Sequence, residues 1–195
     1  MSGGRQIVLL DLPVPVDARV YDEVRDEATS ALLSDAGVVS VYSMGSVGTP
    51  GISDLDLIVI VEDETRSVGF ARSALSIPVA PYVMMHAPFV VPTSLFISLR
   101  SFGTVEDITC LGGRDLGDPD PGSPDTKPAT ALAAALFAMV SLATQQRLGA
   151  FKVRSVLCQA HTLRHTVRVL GLCDAQAPQA AAASRILGPT SGTAT

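Results

Sequence analysis

Charge is scarce in this chain. Asp, Glu, Lys and Arg make up 17% of its 195 residues and leave a net charge of −5. A surplus of base is therefore missing, which disfavours broad, nonspecific nucleic-acid binding, since that needs a basic surface. A local basic cleft remains compatible with this balance. Cysteine is sparse too. Cys110, Cys158 and Cys173 show no metal-ligand spacing and cannot all pair internally, which suits a reducing cytosol. No internal repeat is present. The apolar run in MSGGRQIVLLDLPVPV is broken by Asp11 and by prolines too soon for a signal peptide. No run reaches membrane-spanning length; the nearest, Ala129–Ala143, carries Thr130 and Ser141 and reads as a buried helix. With 47% hydrophobic residues the composition is that of a globular chain, not a disordered one. The length suits one domain, or a domain with a helical appendage, and suffices to bury a sizeable core.

Hydrophobic periodicity organises what is there. Ile7–Leu10 reads as an edge strand or a loose arm. Val20–Ala36 reads as a helix, since Val20, Val24, Ala28, Leu32 and Leu33 recur at helical spacing, with Asp17 as N-cap and Gly37 as the stop. Val38–Met44 and Asp54–Val61 read as central strands. Arg66–Leu75 reads as a helix ended by Ile77-Pro78, and Tyr82–Val91 as a third strand bounded by prolines. Thr93–Phe102 reads as a short helix stopped by Gly103, and Val105–Leu111 as a further strand. Ala129–Leu148 and Phe151–Leu170 then read as an antiparallel helical hairpin joined through Gly149. The core face of the second helix runs Val153, Val156, Leu157, Ala160, Leu163, Val167 and Leu170. The expected organisation is an α/β domain over residues 1–117, a Pro- and Asp-rich linker over 118–128, the hairpin over 129–173 and a weakly ordered tail over 174–195. That tail has the composition of a linker, as in a piece of a longer protein.

The sharpest stretch is Val41–Val61, VYSMGSVGTPGISDLDLIVIV. An apolar strand ends in Gly45-Ser46, a short glycine loop follows, and Asp54-Leu55-Asp56 leads into the next strand. Residues two apart in a strand share a face, so Asp54 and Asp56 stand side by side. Two carboxylates opening a buried strand repel each other and resist desolvation. A divalent cation relieves both costs, and Mg²⁺ suits an all-oxygen site. Gly45 and Ser46 offer backbone N–H groups and a hydroxyl to a phosphate. The plain alternative is a pair of ordinary polar residues at a strand start beside a tight turn. Two other phosphate-binding loops are unsupported: there is no Gly-Lys-Ser/Thr ending, and Gly45, Gly48 and Gly51 do not space as G-x-G-x-x-G.

On Gly45, Ser46, Asp54 and Asp56 the stretch resembles the polymerase-β-type nucleotidyltransferase superfamily. Its signature is an apolar strand, Gly-Ser, a loop, then Asp-apolar-Asp-apolar on the next strand. The resemblance implies the α/β nucleotidyltransferase fold, a small mixed sheet flanked by helices, here followed by the helical hairpin. It implies transfer of a nucleoside monophosphate from a nucleoside triphosphate to a hydroxyl of a small molecule or protein, with release of pyrophosphate. Asp54 and Asp56 would hold Mg²⁺, and Gly45 and Ser46 the triphosphate. A short acidic chain disfavours a template-directed polymerase. The family also carries a third catalytic carboxylate on a later strand, and here the match weakens, because YVMMHAPFVV contains no Asp or Glu. Asp107, or its neighbour Glu106, is one source of that group; His86 as ligand or base is another. If neither serves, the chain is a noncatalytic nucleotide- or partner-binding module. The loop also lacks the family's usual Arg or Lys, which leaves Arg66, Arg114, Lys152 and Arg154 as distant cations. On the second hairpin helix Arg154, Cys158, His161, His165 and Arg168 share one stripe, which either lines a cleft or is a solvated polar face. His161 and His165 have a metal pair's spacing but no intervening Glu in the zincin position.

Overall fold

The computed structural model describes residues 7–101, 108–117 and 126–171. A short strand, β1 (Val8–Leu10), precedes Pro13 and Pro15. Helix α1 (Ala18–Leu33) starts where the Asp17 carboxylate accepts the Arg19 backbone N–H at 2.9 Å. Its buried face is Tyr21, Val24, Ala28, Thr29 and Leu32. Strands β2 (Val38–Met44) and β3 (Asp56–Val61) pair antiparallel, with Val41 opposite Val59 and Met44 opposite Asp56. Leu57, Val59 and Val61 pack towards α1, whereas Ile58 and Ile60 join Tyr42 in a second core. Burial on both faces explains why β3 is apolar throughout after Asp56.

Helix α2 (Ala80–Val83) leads to β4 (Phe89–Pro92), which lies parallel to β3. Helix α3 (Thr93–Ser101) covers the second core, with the Phe96 ring 4.9 Å from that of Tyr42. Strand β5 (Ile108–Gly113) pairs antiparallel with β2, so the sheet runs β4-β3-β2-β5 and is mixed. Helix α4 (Thr126–Leu148), strand β6 (Ala150–Lys152) and helix α5 (Val153–Val169) complete the described chain. The two helices are antiparallel: the Thr166 hydroxyl donates to the Ala131 carbonyl at one end, and Gln159 donates to Ser141 further along. Strand β6 pairs parallel with β1, which ties the hairpin to the start of the chain. The molecule is thus an α/β protein with a small mixed sheet.

Several segments differ from the sequence expectation. Arg66–Leu75 is not a helix; it holds only a 3₁₀ turn at Arg72–Ala74. Its backbone is captured from outside instead, with the Gly69 N–H on Asp35, while Val68 and Phe70 pack separately onto the core. Tyr82–Val91 is not one strand, because Tyr82 and Val83 belong to α2 and extended pairing begins at Phe89. The carbonyls of Tyr82, Val83 and Met84 accept from Arg154, Leu55 and Arg72, which bends the segment away from the sheet. On α5 the buried positions are Arg154 and Thr166, whereas Leu157 and Ala160 face outward. Nor is α4 a buried helix. Ala131, Ala135 and Ala138 are buried, while Leu132, Leu136, Phe137, Met139 and Val140 are exposed. Small alanines let α5 approach closely, so the larger apolar groups occupy the outer side. Glu106, Asp107, Cys173, most of the expected linker and the expected tail lie outside the described residues.

Candidate functional site

The loop between β2 and β3 is held by a knot of hydrogen bonds. Tyr21, on α1, donates to the Ser53 carbonyl at 2.7 Å and accepts the Gly51 N–H at 2.9 Å. Tyr82 donates to the Gly51 carbonyl at 2.6 Å and accepts the Val14 N–H at 2.9 Å. Gly51 sits at φ +85, and a Cβ there would lie 2.2 Å from the Val14 carbonyl oxygen, so only glycine fits. Arg154 closes the knot from α5. It is 1% exposed, and its guanidinium donates to Ile52 (3.2 Å), Ser53 (3.0 Å) and Tyr82 (2.7 Å) carbonyls. The same group lies 3.9 Å from the centre of the Tyr82 ring and 3.8 Å from the Asp11 carboxylate. A buried guanidinium requires this many acceptors to offset its desolvation.

The expected strand Asp54–Val61 begins only at Asp56, and the knot delivers Asp54 to the loop two residues before β3. The Leu55 N–H donates to the Val83 carbonyl at 2.9 Å, fixing the residue between the two aspartates. Asp56 is opposite Met44, so Gly45 and Ser46 follow directly on the neighbouring strand. Gly45 turns the chain at φ +72, with nothing among the described residues within 4 Å of where a Cβ would stand. Ser46 is exposed. The elements therefore bring Asp54, Asp56, Gly45 and Ser46 to one end of the central strand pair. His86 reaches the same place from the segment before β4, its Nε2 3.9 Å from Asp54 Oδ2.

Electrostatics mark Asp56. Burial, with the Asp54 charge beside it, pushes Asp56 up to about 6, and His86 only partly opposes this. Cys158 faces the site from α5 and touches the Ile52 carbonyl at 3.8 Å. Burial raises its thiol, and Asp54 and Asp56 add to the rise against the pull of Arg154, so this sulfur is not an activated nucleophile. Among the described residues no group of three or more His, Cys, Asp and Glu could hold a metal ion. The donor set still fits Mg²⁺, which commonly takes one or two carboxylates and completes its shell with waters and substrate phosphates. Asp56 in particular is a half-buried carboxylate with a like charge beside it, the situation a cation relieves.

A pH dependence follows. Asp56 is raised from its ordinary 3.8, so its stabilising contribution is complete below that value and is lost as pH rises through about 6. In metal-free buffer, wild type should lose roughly 1–2 kcal/mol relative to Asp56→Asn between pH 5 and pH 7.5. Parallel urea titrations of the two proteins at both pH values measure this difference. Equal pH dependence would show that Asp56 is not perturbed.

Of the residues singled out in the sequence, Gly45, Ser46, Asp54, Asp56 and His86 lie at this end of the β2–β3 pair. Sequence reasoning gave no role to Tyr21 or Tyr82, and treated Arg154 as a distant cation for phosphate, whereas Arg154 is spent on backbone carbonyls. Arg66, Arg114 and Lys152 are exposed. The stripe on α5 is divided, with Arg154 and Cys158 turned to the site and His161 and Arg168 exposed. No family model, curated protein or solved structure matches the chain.

Proposed function

We propose that this protein is a Mg²⁺-dependent nucleotidyltransferase of the polymerase-β type, with a nucleoside triphosphate as donor and a hydroxyl of a small molecule or protein as acceptor. The observation that carries the reading is Asp56 at the start of β3, with Asp54 two residues before it, beside the open Gly45-Ser46 turn at the end of β2. The mixed α/β sheet is compatible with the nucleotidyltransferase fold.

Asp54 and Asp56 would hold Mg²⁺, which supplies charge neutralisation of the triphosphate and of the leaving pyrophosphate. The N–H groups and hydroxyl at Gly45-Ser46 bind phosphate oxygens. The acceptor oxygen bonds to the α-phosphorus as the α–β bridging P–O bond breaks, and pyrophosphate departs with the electron pair. The acceptor proton needs a base. His86, exposed and with its Nε2 3.9 Å from Asp54, is a described residue able to take it. Asp107 and Glu106 remain the carboxylate alternatives.

Pyrophosphate release with each of the four triphosphates and a panel of hydroxyl acceptors tests this reading. Turnover should require Mg²⁺. One of His86→Ala, Asp107→Asn and Glu106→Gln should lower turnover by about 10²- to 10⁴-fold while triphosphate affinity stays within a few-fold. If wild type binds Mg²⁺-triphosphate, turns over no acceptor, and no variant alters binding, the noncatalytic binding module becomes the better reading.

A further inference from the structure

Helix α4 is largely apolar around its circumference, yet among the described residues only one side of it is covered. From Pro128 to Gln146 it carries no charged residue. Its alanine side packs on α5, and the opposite side presents Leu132, Leu136, Phe137, Met139, Val140 and Leu148, from 51% to 76% exposed. A helix that is hydrophobic on every face belongs in an interior. Against the expectation from the sequence, Pro128–Leu148 is by length and composition also fit to cross a membrane, because the helix extends the apolar run past Ala143 to Leu148. Here, however, α4 is hydrogen-bonded along α5, and α5 is pinned to the sheet domain by Arg154 and carries Arg164 and Arg168. Crossing a bilayer would strip α4 from that partner or drag those charges with it. Surface attachment is disfavoured as well, because interfacial helices have a basic polar face, whereas the side of α4 away from the patch is alanine against α5 and the chain is acidic.

We propose that the outer face of α4 is a homodimer interface, with α4 of one protomer packed on α4 of a second copy. The six side chains expose on the order of 700 Å², above the roughly 300–600 Å² of the largest patch on a typical monomer and near the about 800 Å² per partner of a standard interface. An uncharged apolar face is self-complementary, as a two-fold contact requires, and has no charge pattern to select a different partner. Phe137 is the most exposed of the large groups at 76% and the only aromatic among the six, and is their expected anchor.

Sedimentation velocity on the full chain across a concentration series tests the proposal, with Phe137→Glu and Leu136→Lys alongside. Wild type should sediment as a species of twice 20.3 kDa. Each variant should weaken self-association by roughly 100-fold or more. Both positions are exposed, so far-UV circular dichroism of the variants should match wild type. A monomeric wild type at about 100 µM, far above the Kd of a standard interface, would overturn the proposal. So would a dimer that survives both substitutions, or a monomer that co-sediments with phosphatidylcholine or phosphatidylserine vesicles.

Discussion

Arg154→Ala is expected to destabilise the protein by about 3–5 kcal/mol, the range for breaking a buried ionic and hydrogen-bonded arrangement by removing one partner. The size follows from what is left behind. The carbonyls of Ile52 and Tyr82 lose their guanidinium donor, the Tyr82 ring loses its stacked cation, and Asp11 loses the charge beside it. The Ser53 carbonyl retains the Tyr21 hydroxyl. Arg154→Lys should recover part of the loss, because an ammonium can reach some of these acceptors but cannot reproduce the planar fork or the stack. Equilibrium urea unfolding of the three proteins measures the series. An Ala variant within about 0.5 kcal/mol of wild type would mean that Arg154 does not hold α5 against the β2–β3 loop.

Asp54→Asn and Asp56→Asn are expected to remove most of the response to Mg²⁺-triphosphate. A ligand that binds only the folded state raises its stability by mass action, about 2.7 kcal/mol at a hundred times Kd. Wild type should show such a gain with Mg²⁺ and triphosphate together, and both variants should lose most of it. Their behaviour without ligand should differ from that of ordinary mutants. Asp56→Asn removes a half-buried charge that is raised to about 6, so at pH 7.5 the metal-free variant should be as stable as wild type or more so. Greater stability with lost binding is the signature of a residue retained for a ligand. Thermal melts with Mg²⁺ alone, triphosphate alone and both together distinguish these outcomes. An undiminished shift in both variants would place the nucleotide elsewhere.

Sequence alone determined the local features whose physics is local. Asp17 caps α1 because a carboxylate beside free N–H groups needs no distant partner. Strand β2 runs over Val38–Met44 as expected, since a branched apolar run bounded by Gly37 and Gly45 leaves few alternatives. The Asp54–Asp56 pair was legible for the same reason: its spacing, its loop and the buried strand behind it are contiguous. Tertiary structure decided the rest. Arg66–Leu75 and Tyr82–Val91 have apolar patterns that fit regular elements, but Asp35, Leu55, Arg72 and Arg154 claim their backbone groups, and none of those claims appears in the local sequence. His86 consequently comes to Asp54 from an irregular segment instead of a strand. Arg154 acts across about half the chain, on Ile52 and Ser53, through a helix whose periodicity suggested an apolar core face. Periodicity ranks positions by hydrophobicity alone. It cannot see that several carbonyls, an aromatic ring and a carboxylate converge on one point, and that convergence is what makes burying a guanidinium favourable.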